Sequence, residues 1–132
     1  MDEQISNQQA FAEKVVWITG ASGGIGEEMA VAFARAGSKL VLSARNQKKL
    51  ECVRDRCFEA GADHGSMLVL PLDVVDLDAM PGAVNKVMEK YSKIDILINN
   101  AGVGVRDFCT DIKIDVYRAA LEVNLIGPIA LT

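Results

Sequence analysis

The sequence holds no run approaching the roughly 20 consecutive apolar residues that a membrane-spanning helix requires. It has no basic block of the kind that marks a nucleic-acid binder: 14 Lys+Arg stand against 18 Asp+Glu, a net charge of −4. The opening, MDEQISNQQAF, is polar and acidic, unlike a charged-then-apolar targeting signal. Cys52, Cys57 and Cys109 form no CxxC pair and are odd in number, which argues against a disulfide framework or a zinc site. His64, the only histidine, has no Cys or His beside it, so no metal site is expected. What is present is 132 residues, 50% hydrophobic and 24% charged. A chain of that size hides roughly two-thirds of its unfolded surface on folding, enough for a core without staples.

Residues 1–13 lack periodicity and are expected to form a flexible tail, with one organised unit over 14–132. KVVWITG reads as a buried strand that ends at glycine. A helix is expected from Gly24, with apolar Ile25, Met29, Ala32, Phe33 and Ala36 at helical spacing and Gly37 as its left-handed terminator. SKLVLSA gives a second strand, and Asn46 should cap a helix that buries Leu50, Val53 and Cys57 and stops near Gly61. MLVLPL is a third strand, with Asp73 just past its carboxyl end. Asp76 is placed to cap a helix whose Val84, Val87, Met88 and Tyr91 share a face. KIDILIN is a fourth strand, and Asp115 is placed to cap a last helix carrying Val116, Ala120 and Val123, bent or ended at Gly127-Pro128. Four short strands alternating with helices imply right-handed βαβ crossovers. The fold expected is a doubly wound α/β, Rossmann-type parallel sheet, incomplete at about four strands, with the first strand central beside the fourth.

The strongest local signal is Thr19-Gly20-Ala21-Ser22-Gly23-Gly24-Ile25-Gly26, lying between a strand and a helix. Glycines let backbone approach a pyrophosphate, and a helix N-terminus offers free N–H groups and about half a positive charge. Gly20, Ser22, Gly23, Gly24, Ile25 and Gly26 are therefore candidate cofactor-binding residues. The glycines fit two spacings, GxxxGxG through Gly20, Gly24 and Gly26, and GxxGxxG through Gly20, Gly23 and Gly26, and do not choose between them. About 20 residues on, where an NAD site offers a carboxylate to the ribose, stand Ala44 and Arg45. A guanidinium grips a 2′-phosphate through paired, charge-assisted hydrogen bonds, so NADP(H) is the cofactor expected. The plainer reading of Arg45 is a solvated loop residue. Asp73 faces the crevice beyond the strand ends, where a carboxylate accepts from an exocyclic amine, and its plainer reading is a loop or capping acid. Asn100 is either a site residue or a turn former. Asn124 lowers helix propensity among apolar neighbours, which implies a water-bridging or kink-forming role.

Together these segments resemble the classical short-chain dehydrogenase/reductase family over nearly all of Lys14 to Thr132. The wording of VVWITGASGGIGEE, LVLSAR, LVLPLDV and DVYRAALEVN is especially similar to that family's member seven group. The resemblance implies a cofactor loop in TGASGGIG, an NADP-selecting base in Arg45, an adenine-contacting pair in Asp73 and Val74, and a strand-bracing NNAG signature in Asn99, Asn100, Ala101 and Gly102. Asn124 falls where the family places its catalytic asparagine. An epimerase of the extended type, suggested by the other glycine spacing, is disfavoured by NNAG and Arg45.

In that family, hydride transfer between NADP(H) and a small carbonyl or alcohol substrate is accompanied by proton transfer through Tyr-x-x-x-Lys, with a serine orienting the oxygen. Here Tyr91 is followed at the fourth position by Asp95 and Tyr117 by Leu121, so neither fits. The chain reads as the cofactor-binding part of such an oxidoreductase, truncated and inactive alone. The competing reading is a non-catalytic nucleotide- or partner-binding module, forming a homo- or hetero-oligomer through its last helix. The cytoplasm is the default location, and the resemblance leaves room for an endoplasmic reticulum membrane, because close relatives often carry an amino-terminal anchor.

Overall fold

The computed structural model describes residues 9–132. Val15–Thr19 forms β1, and all five residues are buried. Lys39–Ser43 (β2), Met67–Val69 (β3) and Ile96–Ile98 (β4) run parallel to it in the order β3-β2-β1-β4. β1 is thus interior, in register with β2 from Val15↔Lys39 to Thr19↔Ser43 and with β4 from Val16↔Ile96 to Ile18↔Ile98. Because both faces are covered, the strands are continuous apolar runs whose alternate residues feed two cores. Val16, Ile18, Leu40 and Leu42 belong to one, with Ala30, Val31 and Ala34 of α1 (Gly24–Arg35) and Leu50, Val53 and Cys57 of α2 (Gln47–Glu59). Val15, Trp17 and Val41 belong to the other, with Met80, Ala83 and Val87 of α3 (Met80–Tyr91) and Leu131 of α5 (Gly127–Leu131). α4 (Ile114–Leu121) and a π-helical segment, Glu122–Ile126, precede α5.

Several helix boundaries follow the sequence signals. Gly37 and Gly61 take φ of +78° and +108°, and Asn46 Oδ1 accepts from Lys49 N–H at 3.1 Å. Pro81 occupies the first turn of α3, where a missing N–H leaves no hydrogen bond unmade. Other expectations need correction. α1 buries Gly26, Ala30, Val31 and Ala34, Met29 and Phe33 of the apolar stripe pack against the same core partly buried, and Ile25 is 74% exposed, because small side chains let the helix lie close to the sheet. Met88 is exposed beside buried Val87. Asp76 makes no capping bond before the 3₁₀ turn Leu77–Ala79, and α4 begins after Lys113, placing Asp115 in its first turn, 3.5 Å from Arg118. No residue of α4 is buried and Val116 is exposed, while Val123, in the π-helical segment, packs against the second core. The third strand is shorter in its ladder, yet Leu70 and Leu72 N–H still donate to Leu42 and Ala44 carbonyls across Pro71.

Of the expected tail, residues 1–8 lie outside the described residues. Residues 9–13 are held on the fold: Phe11 packs edge-on against Phe33 with ring centroids 5.2 Å apart, Ser38 Oγ donates to the Phe11 carbonyl at 2.8 Å, and Glu13 pairs with Lys39 at 2.9 Å. Packing therefore begins before Lys14, through an aromatic contact too far apart in sequence to show as periodicity. At the opposite edge β4 pairs only with β1, and its three residues are half-buried, so the sheet is incomplete on that side.

The β1–β4 seam is closed at its amino end by Asp95, whose Oδ2 accepts from Val15 N–H at 2.8 Å and meets Lys93 Nζ at 3.0 Å. The Val15 N–H first, and Lys93 next, hold the Asp95 carboxyl below its usual range. A carboxyl lowered in the folded state stabilises it above the unfolded-state pKa, about 4, and that contribution is lost as pH falls through the lower folded value. Thermal unfolding followed from pH 6 to pH 2 should show the midpoint falling below about pH 4. The Asp95→Ala chain should start less stable and lose less with acid, and an unchanged acid slope would rule out this clamp.

Candidate functional site

The site is built where β1 and β4 end together. Thr19, the last residue of β1, is buried, and its hydroxyl accepts from the N–H of Asn100 at 3.1 Å and of Ala101 at 3.0 Å while facing the Ile98 carbonyl at 3.4 Å. Asn100 returns the connection: its Nδ2 donates to the carbonyls of Thr19 at 3.1 Å and Gly20 at 3.2 Å. Five polar contacts thus fix the glycine loop to the NAG turn, in a place where an unpaired backbone group would cost about 1–3 kcal/mol.

The glycines then separate by role. Gly20 has φ +64°, and a Cβ there would stand 2.8 Å from Ala101 Cα. A Cβ at Gly26 would collide with the Gly20 carbonyl oxygen and reach 2.7 Å from Asn100 Nδ2. Gly24 has φ +56°, which strains any other residue, whereas Gly23 is extended and has nothing within 4 Å of its would-be Cβ. Gly20, Gly24 and Gly26 are the required ones, which resolves the spacing left open by the sequence in favour of GxxxGxG. No side chain caps α1 at Gly23, and the first backbone bond of the helix is Glu27 N–H to the Gly23 carbonyl. The N–H groups of Gly24, Ile25 and Gly26 precede that bond, as anion binding at a helix start requires.

A cleft of about 980 Å³ opens over this junction, at the upper end of the roughly 300–1,000 Å³ of ligand pockets. It is lined by Gly20, Ser22 and Gly23, by 44–49 after β2, by 72–75 after β3, by 100–103 after β4, and by Val123. The fold thereby brings together Gly20, Ser22, Gly23, Arg45, Asp73, Val74, Asn100, Ala101 and Gly102. Gly26 is buried outside the lining, and exposed Gly24 and Ile25 lie instead with Met29 and Ala32 along a separate hollow on α1. Asp73 Oδ1 accepts from Val75 N–H at 3.2 Å, folding its own turn. Asn124 sits in the π-helical segment: its Oδ1 accepts from Val103 N–H and its Nδ2 donates to the Val103 carbonyl, both at 2.8 Å. The kink-forming reading of Asn124 thus has a structural counterpart, and both its amide atoms bind backbone.

Sequence reasoning missed Thr19, Lys48, Lys49 and Val123. A hydroxyl at the end of an apolar strand was the available signal for Thr19; the two lysines lie one helical turn beyond Arg45 and line the same cleft. Arg45, Lys48 and Lys49 form no ion pair among the described residues, so three cations face one end of the cleft. Tyr91 does not contribute: it is absent from the lining, its hydroxyl is buried without a partner among the described residues, and burial pushes its pKa up to about 12. Cys57 is likewise buried, its thiol pushed up to about 11.

A family sequence model described as short chain dehydrogenase matches residues 14–132. The chain belongs to the short-chain dehydrogenase family. It is 46% identical over 123 residues to human dehydrogenase/reductase SDR family member 7, covering 92% of this chain and 36% of that protein. Among solved structures it is similar to the apo form of Caenorhabditis elegans glucose dehydrogenase, with 37% identity and a TM-score of 0.81 over 92% of this chain and 47% of that one. It also resembles a Brucella melitensis 3-ketoacyl-(acyl-carrier-protein) reductase complexed with NADH, with 30% identity and a TM-score of 0.83 over 92% of this chain and 48% of that one. This short-chain dehydrogenase chain therefore spans about a third of the curated relative and about half of the solved ones. No helix among its described residues is long and apolar enough to cross a membrane.

The two classes of glycine predict different outcomes. Gly26→Ala should lower the urea midpoint of unfolding by an amount worth about 1–3 kcal/mol, as overpacking does. Gly23→Ala should stay within about 0.5 kcal/mol of the parent, because it meets no protein atom. Equal losses in urea titrations of the two variants would contradict the assignment.

Proposed function

We propose that this chain binds NADP(H) in the cleft and serves as the cofactor-binding part of an oxidoreductase acting on a carbonyl or alcohol. The observation that carries the reading is Arg45, exposed at the end of β2 and lining the same cleft as the glycine loop and the NAG turn. The cradle fits the group: bare glycine backbone at Gly20 and Gly23 in the lining, an uncapped helix start, and a cation cluster one strand away.

In this reading the N–H groups opening α1, with Ser22 and Gly23, hold the pyrophosphate. Arg45, joined by Lys48 and Lys49, holds the 2′-phosphate, and no carboxylate stands at 44–49 to favour a bare ribose. The free oxygen of Asp73 accepts from the adenine amine, and Val74 packs beside the ring. Asn100, Ala101 and Gly102 run along the ribose and nicotinamide, and Asn124 keeps that run in place by holding Val103. Bound nicotinamide supplies or accepts a hydride. No tyrosine here is suited to move the accompanying proton: Tyr91 is buried outside the cleft, and Tyr117 lies on α4, also outside it. Binding without turnover is the behaviour proposed for this chain on its own. The Brucella reductase carries NADH, so the preference for the phosphorylated cofactor rests on the cations of this sequence and not on the relative.

A second reading, a partner-binding module without catalysis, draws on the exposed apolar residues Ile114, Leu121, Leu125 and Ile129 along α4, the π-helical segment and α5. It is compatible with nucleotide binding and differs in requiring a stable complex.

Fluorescence titration should give NADPH at least a tenfold advantage over NADH, since each charge-assisted hydrogen bond contributes about 1.5–3 kcal/mol. Arg45→Ala should remove most of that advantage while leaving NADH binding little changed. Tighter binding of NADH by the parent chain would overturn the cofactor assignment.

A further inference from the structure

The loops on the two sides of the cleft come from strands that are not neighbours. The loop after β3 carries Asp73 and Val74, the loop after β4 carries the NAG turn and Val103, and β2 and β1 lie between those strands in the sheet. No ladder hydrogen bond sets one loop against the other. The chain from Asn124 to Gly127 touches both. Asn124 holds Val103 by two hydrogen bonds of 2.8 Å, while Gly127, buried, lies so close to Val74 that a methyl group on it would collide with the Val74 carbonyl oxygen and reach 3.1 Å from Val74 Cβ. Gly127 N–H donates to the Glu122 carbonyl, the five-residue spacing of a π turn, an uncommon geometry that recurs at functional sites. Val123, one residue before Asn124, lines the cleft.

We propose that Gly127 is a positioning residue for the nucleotide cleft: its lack of a side chain seats the π turn against Val74 while Asn124 ties the same turn to Val103. One turn of chain thereby fixes the spacing between the β3 loop and the β4 loop. The proposal rests on the reading of the cleft as a dinucleotide site. Only a ligand long enough to touch both loops feels that spacing. Gly82 makes the contrast, since nothing lies within 4 Å of its would-be Cβ.

The test compares Gly127→Ala, Asn124→Ala and the control Gly82→Ala in the 132-residue chain. Amide hydrogen exchange without ligand is read over 73–76 and 101–104, and NADPH affinity by titration. Both site variants should raise exchange in both loops, each therefore acting on the loop it does not touch, and weaken NADPH roughly three- to thirtyfold. Gly82→Ala should do neither. Exchange that rises only in the contacted loop, or evenly across β1 to β4, overturns the proposal, as does unchanged NADPH affinity in a parent chain that binds it. If Gly127→Ala fails to fold, Asn124→Ala carries the test through the response at 73–76. Absence of NADPH binding by the parent would contradict the proposed function and leave the exchange result to decide the coupling.

Discussion

The cleft depends on one buried junction, the exchange of hydrogen bonds between Thr19 at the end of β1 and Asn100 at the end of β4. The hydroxyl of Thr19 takes the backbone N–H of Ala101 and shares that of Asn100 with the Ile98 carbonyl where the β4 strand breaks off, and the amide of Asn100 takes two carbonyls where β1 breaks off. Each strand end satisfies the other. Gly20 must then be a glycine because Ala101 lies against it, and Gly26 must be one because the Gly20 carbonyl and Asn100 lie against it. Those close approaches set where α1 starts and therefore where its free N–H groups point.

The remaining parts of the site are arranged around that fixed point by topology. Strand order β3-β2-β1-β4 reverses direction at β1, and the cleft opens over the carboxyl ends of the strands, lined by the segments that follow all four. The loop after β2 adds cations to one end of it and the loop after β3 adds Asp73 to the wall. Anion binding at a helix start and at a cation cluster needs no deeply buried charge, and among the described residues the buried polar ones, Thr19, Ser38 and Ser43, are all hydroxyls. Ser43 accepts the Trp17 indole N–H at 2.8 Å, so the largest core side chain buries its polar tip with a partner.

Much of this was legible in the order of residues, for identifiable reasons. Strands covered on both faces are uniform apolar runs, and the residues that end elements, Gly37, Asn46 and Gly61, act through their own backbone or a neighbour three residues away. What was not legible depends on distant contacts. The inward face of α1 is chosen by how closely the helix can approach Val16 and Ile18, so Ala30 and Ala34 are buried, Met29 and Phe33 pack at the margin and Ile25 is left outside. Phe11 meets Phe33 and Thr19 meets Asn100 across separations that no local pattern reveals. Asp76 and Asp115 have the composition of caps, but the turn before α3 and the start at Ile114 place them elsewhere. The residues lining the cleft were found chiefly because strand ends in such a sheet face one crevice, and Lys48 and Lys49 were passed over because a charged helix start also reads as a solvated face.

The proposed function requires a phosphorylated dinucleotide to lie across the strand ends, from the Arg45 end to the NAG turn. The most direct measurement is an amide NMR titration of the labelled chain with NADPH. Shifts are expected at 20–26, 45–49, 73–75 and 100–103, with NADH moving the same groups except those at 45–49. Shifts gathered instead on 114–131, or an unperturbed glycine loop at saturating nucleotide, would contradict the account.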